Sequence, residues 1–156
     1  MGYQGMTEEQ FRKCIPIGEI QKYSGNCWAT TLSMMLRYHE FDISQKYVTD
    51  LFHEWRFEGV TSLQMSQLVD FFNKNVLGKK GWIMKTVDSW NGHLSSLSLF
   101  APIQIFIEGH FVLLLGYEDD NSMITFFDPW DGSVKEVSTD TFSSYGGGET
   151  VYMYKE

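Results

Sequence analysis

The change of hydrophobic period along the chain constrains its fold most. Up to about residue 80, apolar residues recur at helical spacing; from Trp82 onward they gather in short β-branched and aromatic runs. Trp28, Leu32, Met35 and Leu36 mark a helix over Cys27 to Glu40, with Asn26 as its N-cap. Asp42 or Ser44 opens a second helix through Trp55. Thr61-Ser62-Leu63-Gln64 forms a capping box for a third, with Met65, Leu68, Val69, Phe72 and Val76 on one face and Gly78 as its end. Strands are expected at Trp82–Val87, Ile103–Glu108, Phe111–Tyr117, Met123–Phe127, Val134–Val137 and Val151–Tyr154, with a short helix over Ser89 to Leu99. Gly109, Asp119-Asp120-Asn121 and Asp131-Gly132 supply turn chemistry between strands, and Gly146-Gly147-Gly148 a loop before the last one. Helices first and antiparallel strands second read as an α+β fold.

Length and charge bound the function. The 156 residues suit one domain over 1–156, helical over about 1–80 and β-rich over about 81–156. Residues 1–100 balance 10 acids against 10 bases, whereas 101–156 hold 10 acids against Lys135 and Lys155. The net charge of −8 therefore arises in the last third. With no basic stripe to neutralise phosphates, the sequence argues against nucleic acid and against an anionic membrane surface as partners. No apolar run approaches the ~18 residues of a spanning helix, and the start lacks a Sec-type or myristoylation signal. Cys14 and Cys27 are too few for a disulfide framework or a four-thiolate zinc site, so no metal or cofactor is expected. The expected location is cytoplasmic, or a target cell reached by secretion or injection without a cleavable signal.

Cys27 stands at the first turn of the expected helix, where the helix dipole favours thiolate and lowers the pKa. A buried structural cysteine is the alternative. Among His39, His53, His93 and His110, only His110 sits at the mouth of a very apolar strand, after Gly109. A hairpin turning at 119–121 pairs residues whose numbers sum to about 240, which brings Asp128 within reach of His110. A turn-forming aspartate in Asp128-Pro129-Trp130-Asp131-Gly132 is the alternative there.

Three segments together resemble the papain-like cysteine peptidases. Gln21-Lys22-Tyr23-Ser24-Gly25-Asn26-Cys27-Trp28-Ala29 is similar to the family's Q-x5-C-W-A segment. Gly109-His110-Phe111-Val112-Leu113-Leu114-Leu115-Gly116-Tyr117 is similar to its H-x-V-x-x-x-G-Y strand, and Asp128-Pro129-Trp130-Asp131-Gly132 to its N-S-W-G segment with Asp for Asn. Cys27 and His110 are 110 − 27 = 83 residues apart, well short of the ~130–150 of papain and the cathepsins. That interval fits the compact bacterial branches, the C39-like bacteriocin-processing peptidases and the C70-like secreted effectors.

The resemblance implies a papain-like fold, with the nucleophile at a helix N-terminus packed on a C-terminal antiparallel sheet. It implies Cys27 as nucleophile, His110 as general base, Asp128 as the residue orienting His110, and Gln21 as an oxyanion donor, with Trp130 covering the His110–Asp128 bond or joining the core. The implied activity is thiol peptidase action on a protein or peptide through a thioester. A deamidase or acyl transferase on the same groups, or a silent binding module, are the other readings. A toxin or effector role would bring a cognate immunity or inhibitor protein, with basic residues facing the acidic last third.

Overall fold

The computed structural model describes residues 3–53, 60–87, 97–107, 109–118, 123–145 and 148–156. Strand β1 (Tyr3–Gly5) leads into helix α1 (Glu8–Cys14), opened by a capping box between Thr7 and Gln10. Helices α2 (Cys27–Tyr38), α3 (Gln45–Leu51) and α4 (Ser62–Phe72) follow. Strands β2 (Trp82–Val87), β3 (Ile103–Ile107), β4 (His110–Glu118), β5 (Met123–Asp128) and β6 (Ser133–Ser138) come next, then helix α5 (Thr139–Ser144) and strand β7 (Thr150–Lys155). The expected α+β class is what forms.

Among the described residues the strands make one antiparallel sheet in the order β2-β7-β3-β4-β5-β6. Strand β1 pairs with the far end of β4, Gly5 opposite Gly116, beyond where β3 stops. Strand β4 is central and covered on both faces. Phe111, Leu113 and Leu115 join α2 and α4 in one core, while Val112 and Leu114 join Ile103, Ile105, Phe126 and Phe142 of α5 in the other. A strand apolar at nearly every position is what two covered faces require. The hairpin register agrees with the expected sum near 240: Leu113 faces Phe127 and Leu114 faces Phe126, before a bulge at Leu115.

Helix α2 runs through the first core with eleven of its twelve residues buried. Its polar residues bond locally: Thr30 and Thr31 hydroxyls donate to the carbonyls of Asn26 and Cys27. The expected side-chain cap by Asn26 does not form. Asn26 is fully buried; its amide donates to Gln45 Oε1 at 2.7 Å and accepts from the Thr49 hydroxyl at 3.1 Å. Partners on α3 outcompete the local cap.

The capping box at Thr61 and Gln64 forms as expected, but Gly78 does not end the run. Helix α4 relaxes into a π turn over Asn73–Leu77 and a short 3-10 turn, and the chain reverses at Gly81, φ 76°. Asn73 grips β2 from there, donating to the Met84 carbonyl and accepting from the Met84 N–H. Helix α3 ends at Leu51, and the expected continuation to Trp55 lies outside the described residues. So do most of the expected helix 89–99, His93, and the turn at 119–121. No described helix is long and apolar enough to cross a membrane.

His39, just past α2, lies on Trp82 with ring centroids 4.5 Å apart, and its Nε2 is buried without a hydrogen-bond partner. Burial, with the Lys13 charge adding to it, pulls its pKa down to about 4. The unfolded chain binds this proton near pH 6.5 and the folded chain only near 4, so stability falls as pH drops through that window. The loss is on the order of 3 kcal/mol at most. Urea unfolding at pH 7 and pH 4.5 is expected to show a smaller acid-induced loss in His39→Phe than in wild type. Equal losses would contradict the assignment.

Candidate active site

The site forms where the first turn of α2 meets the start of β4. Gly109, at φ 75°, reverses the chain after β3 and makes His110 the first residue of β4. This φ favours glycine. The next residue, Phe111, donates its N–H to Cys27 Sγ at 3.3 Å. Cys27 is the first residue of α2 and only 6% exposed.

The thiol environment differs from the expectation drawn from the helix terminus alone. Burial pushes the Cys27 thiol up from its usual range; the N–H groups of Phe111, Trp28 and Cys27 oppose the rise, and the Asp128 charge adds to it. Three backbone N–H groups around one sulfur form a cradle suited to developing negative charge, while the dry surroundings keep the resting thiol protonated. The dipole argument omitted burial, and burial wins.

His110 Nε2 lies 2.7 Å from Asp128 Oδ1, at the end of β5. The same oxygen accepts the Trp130 N–H at 2.9 Å, and Oδ2 accepts from Lys135 Nζ at 2.7 Å. Burial alone would raise the Asp128 pKa, but the bonds from Lys135, His110 and the Trp130 N–H hold it below the usual carboxylate range. An ionised carboxylate only accepts, so the ring proton of neutral His110 sits on Nε2 and the lone pair on Nδ1. Trp130 is 62% exposed and so is not core.

Gln21 is buried beside this junction. Its N–H donates to the Pro129 carbonyl at 2.8 Å, tying the segment before Cys27 to the turn after Asp128. Its side-chain Nε2 donates to the carbonyls of Tyr23 and Ser24, at 2.9 and 3.0 Å, while Oε1 is buried without a partner. Both amide hydrogens are thus engaged within the loop. Gln21, Lys22, Tyr23, Ser24 and Trp130 line a cleft of about 240 Å³.

The structure therefore gathers Cys27, His110, Asp128 and Gln21 at one end of the sheet. His39 lies instead between Tyr38 and Trp82. Three contributors escaped the sequence. Gln45 Oε1 accepts from the Lys22 N–H and from Asn26, holding the loop ahead of Cys27. Gln104 reaches from β3 to the Trp28 carbonyl and the Thr31 hydroxyl, at 2.8 and 2.7 Å, anchoring the first turn of α2. Lys135 completes the bonding of Asp128. A glutamine alone in the run Ile103-Gln104-Ile105-Phe106-Ile107 was the one available signal among these. Among the described residues no cluster of three His, Cys, Asp or Glu side chains is placed to hold a metal.

Solved structures similar to this chain include three peptidase domains. A double glycine motif protease from an AMS/PCAT transporter, in complex with the leader peptide, is 18% identical with a TM-score of 0.66 over 88% of this chain and 89% of that one. The peptidase domain of Streptococcus ComA, a bifunctional ABC transporter involved in quorum sensing, is 16% identical with a TM-score of 0.68 over 89% and 98%. A C39-like domain of a Vibrio parahaemolyticus toxin-secretion ATP-binding protein is 13% identical with a TM-score of 0.57 over 86% and 98%. No curated protein sequence matches the chain. The fold is papain-like. The chain belongs to peptidase family C70, the papain-like cysteine protease AvrRpt2 family, whose model matches residues 12–145.

The two cysteines differ sharply. Cys14 is fully buried, and burial pushes its pKa up to about 12. Limiting iodoacetamide is expected to modify Cys27 before Cys14, read by peptide mapping. Preferential modification of Cys14 would contradict the site.

Proposed function

We propose that the chain is a thiol peptidase that cleaves a protein or peptide through a thioester on Cys27, with residues 1–156 acting as one catalytic domain. The observation that carries this reading is the Phe111 N–H on Cys27 Sγ, one residue along β4 from a histidine held by Asp128. Membership of a papain-like cysteine protease family supports it. A peptide substrate fits the relative whose structure holds a leader peptide.

In this mechanism the resting thiol is neutral, and His110 Nδ1 takes its proton as sulfur attacks the scissile carbonyl. The oxyanion gathers the N–H of Cys27 and, once its amide turns away from Tyr23 and Ser24, the side chain of Gln21. His110 then protonates the departing amine. Water, with its proton taken by His110, hydrolyses the thioester and regenerates the thiol. Asp128 orients the ring throughout and stabilises the imidazolium. The likeness to the C70-like secreted effectors supports a role in a target cell, opposed there by an immunity or inhibitor protein that bears basic residues.

Either Cys27→Ala or His110→Ala is expected to abolish turnover without unfolding the chain, and the two losses should not add. Gln21→Ala should lower kcat by about 10²–10³, as for loss of one oxyanion donor. Asp128→Asn should cost less than Asp128→Ala, because the amide oxygen still accepts from Nε2. The substrate experiment compares new N-termini in lysate treated with wild type and with folded Cys27→Ala. Termini found only with wild type support the peptidase; ammonia release without new termini would replace it with deamidation.

A further inference from the structure

Residues 101–156 contain two bases against ten acids, and one of those two sits on Asp128. Asp128 faces Ser133 across the β5–β6 ladder, so Lys135, two residues on, lies diagonally opposite on the same face. That diagonal spans ~7–8 Å between backbones, well within the reach of a lysine. Its Nζ meets Asp128 Oδ2 at 2.7 Å and Asp131 Oδ2 at 3.3 Å. Asp131 is itself held by the N–H and hydroxyl of Ser133 on its other oxygen.

We propose that Lys135 is a positioning residue of the Cys27–His110–Asp128 centre: by occupying Oδ2 it directs Oδ1 to His110 and cancels the carboxylate charge that His110 and Cys27 would otherwise face. This rests on the peptidase reading above. Many papain-like enzymes orient their histidine with a neutral asparagine, as the N-S-W-G segment in the resemblance implies. Here an aspartate stands in that place, and the ammonium makes the orienting unit neutral as a pair. Without Lys135, the Asp128 charge beside the imidazole would lose its counter-ion and keep only the His110 ring and the Trp130 N–H as partners. Negative charge favours thiol over thiolate, and the Asp128 charge already pushes the Cys27 thiol up, so without Lys135 the thiol would hold its proton to higher pH. An ordinary surface ion pair, by contrast, would leave the reactivity of Cys27 untouched.

The test needs no substrate. The rate of Cys27 alkylation by iodoacetamide is followed against pH, with peptide mapping, in wild type, His110→Ala, Lys135→Gln and Lys135→Arg. Circular dichroism controls for folding, and Lys135 is 41% exposed at the side chain, so its replacement removes little packing. The acid limb in Lys135→Gln is expected to move upward by about half to one pH unit, less than the ~1–3 units of a directly contacting charge because Lys135 acts through Asp128 and is part-exposed to screening solvent. Lys135→Arg should restore the wild-type limb. A Lys135→Gln profile superimposed on wild type, or Lys135→Arg shifted as far as Lys135→Gln, overturns the role of Lys135 alone. A wild-type profile indistinguishable from His110→Ala overturns the peptidase reading and this proposal together.

Discussion

Strand β4 carries apolar side chains on both of its faces, and the position of Cys27 depends on how helix α2 docks against one of them. Phe111, Leu113 and Leu115 pack into the same core as Trp28, Leu32 and Met35. The Phe111 N–H points at the sulfur. Gln104 on the neighbouring strand adds two hydrogen bonds to the first turn of α2. Burying those polar groups unpaired would cost ~1–3 kcal/mol each, so the polar anchor and the apolar contact select the same docking. The helix therefore cannot slide along the sheet without breaking both.

The electrostatics of the site follow from that burial. A thiol enclosed by the core resists ionisation, and the three N–H groups around it become most useful as negative charge grows on sulfur. Asp128 is less enclosed and is kept ionised by the donors that converge on it. One carboxylate thereby fixes the histidine tautomer, the Trp130 turn and the start of β6 together. The segment carrying Gln21 closes the arrangement through its bond to Pro129. The four residues quoted from the motifs are thus held by bonds that cross between helix, loop and two strands.

What could be read from the sequence was local or governed by strict alternation. The helix beginning at Cys27, the capping box at Thr61 and the run of strands from Trp82 follow from spacing and turn residues. The register that brings Asp128 to His110 follows from the two-residue period of paired strands, and the bulge at Leu115 shifts only the far end. What could not be read depended on distant partners. Asn26 abandons capping because Gln45 and Thr49 reach it from α3. Strand β1 exists because the outer end of β4 is free to pair beyond β3, and nothing within residues 3–5 announces it. Asn73 turns the end of α4 by bonding to the backbone of β2, which overrides the stop signal at Gly78. The upward push on the Cys27 thiol needed knowledge of its burial, which no motif carries.

The central claim is that β4 brings His110 to act on a thiol that α2 holds ready. A peptidyl acyloxymethyl ketone, which requires an activated thiol for displacement, tests this most directly by intact mass and peptide mapping. Wild type should gain one adduct, mapped to Cys27, while folded His110→Ala and Asp128→Ala gain it far more slowly. An adduct on Cys14, or equal rates with and without His110, would contradict the account.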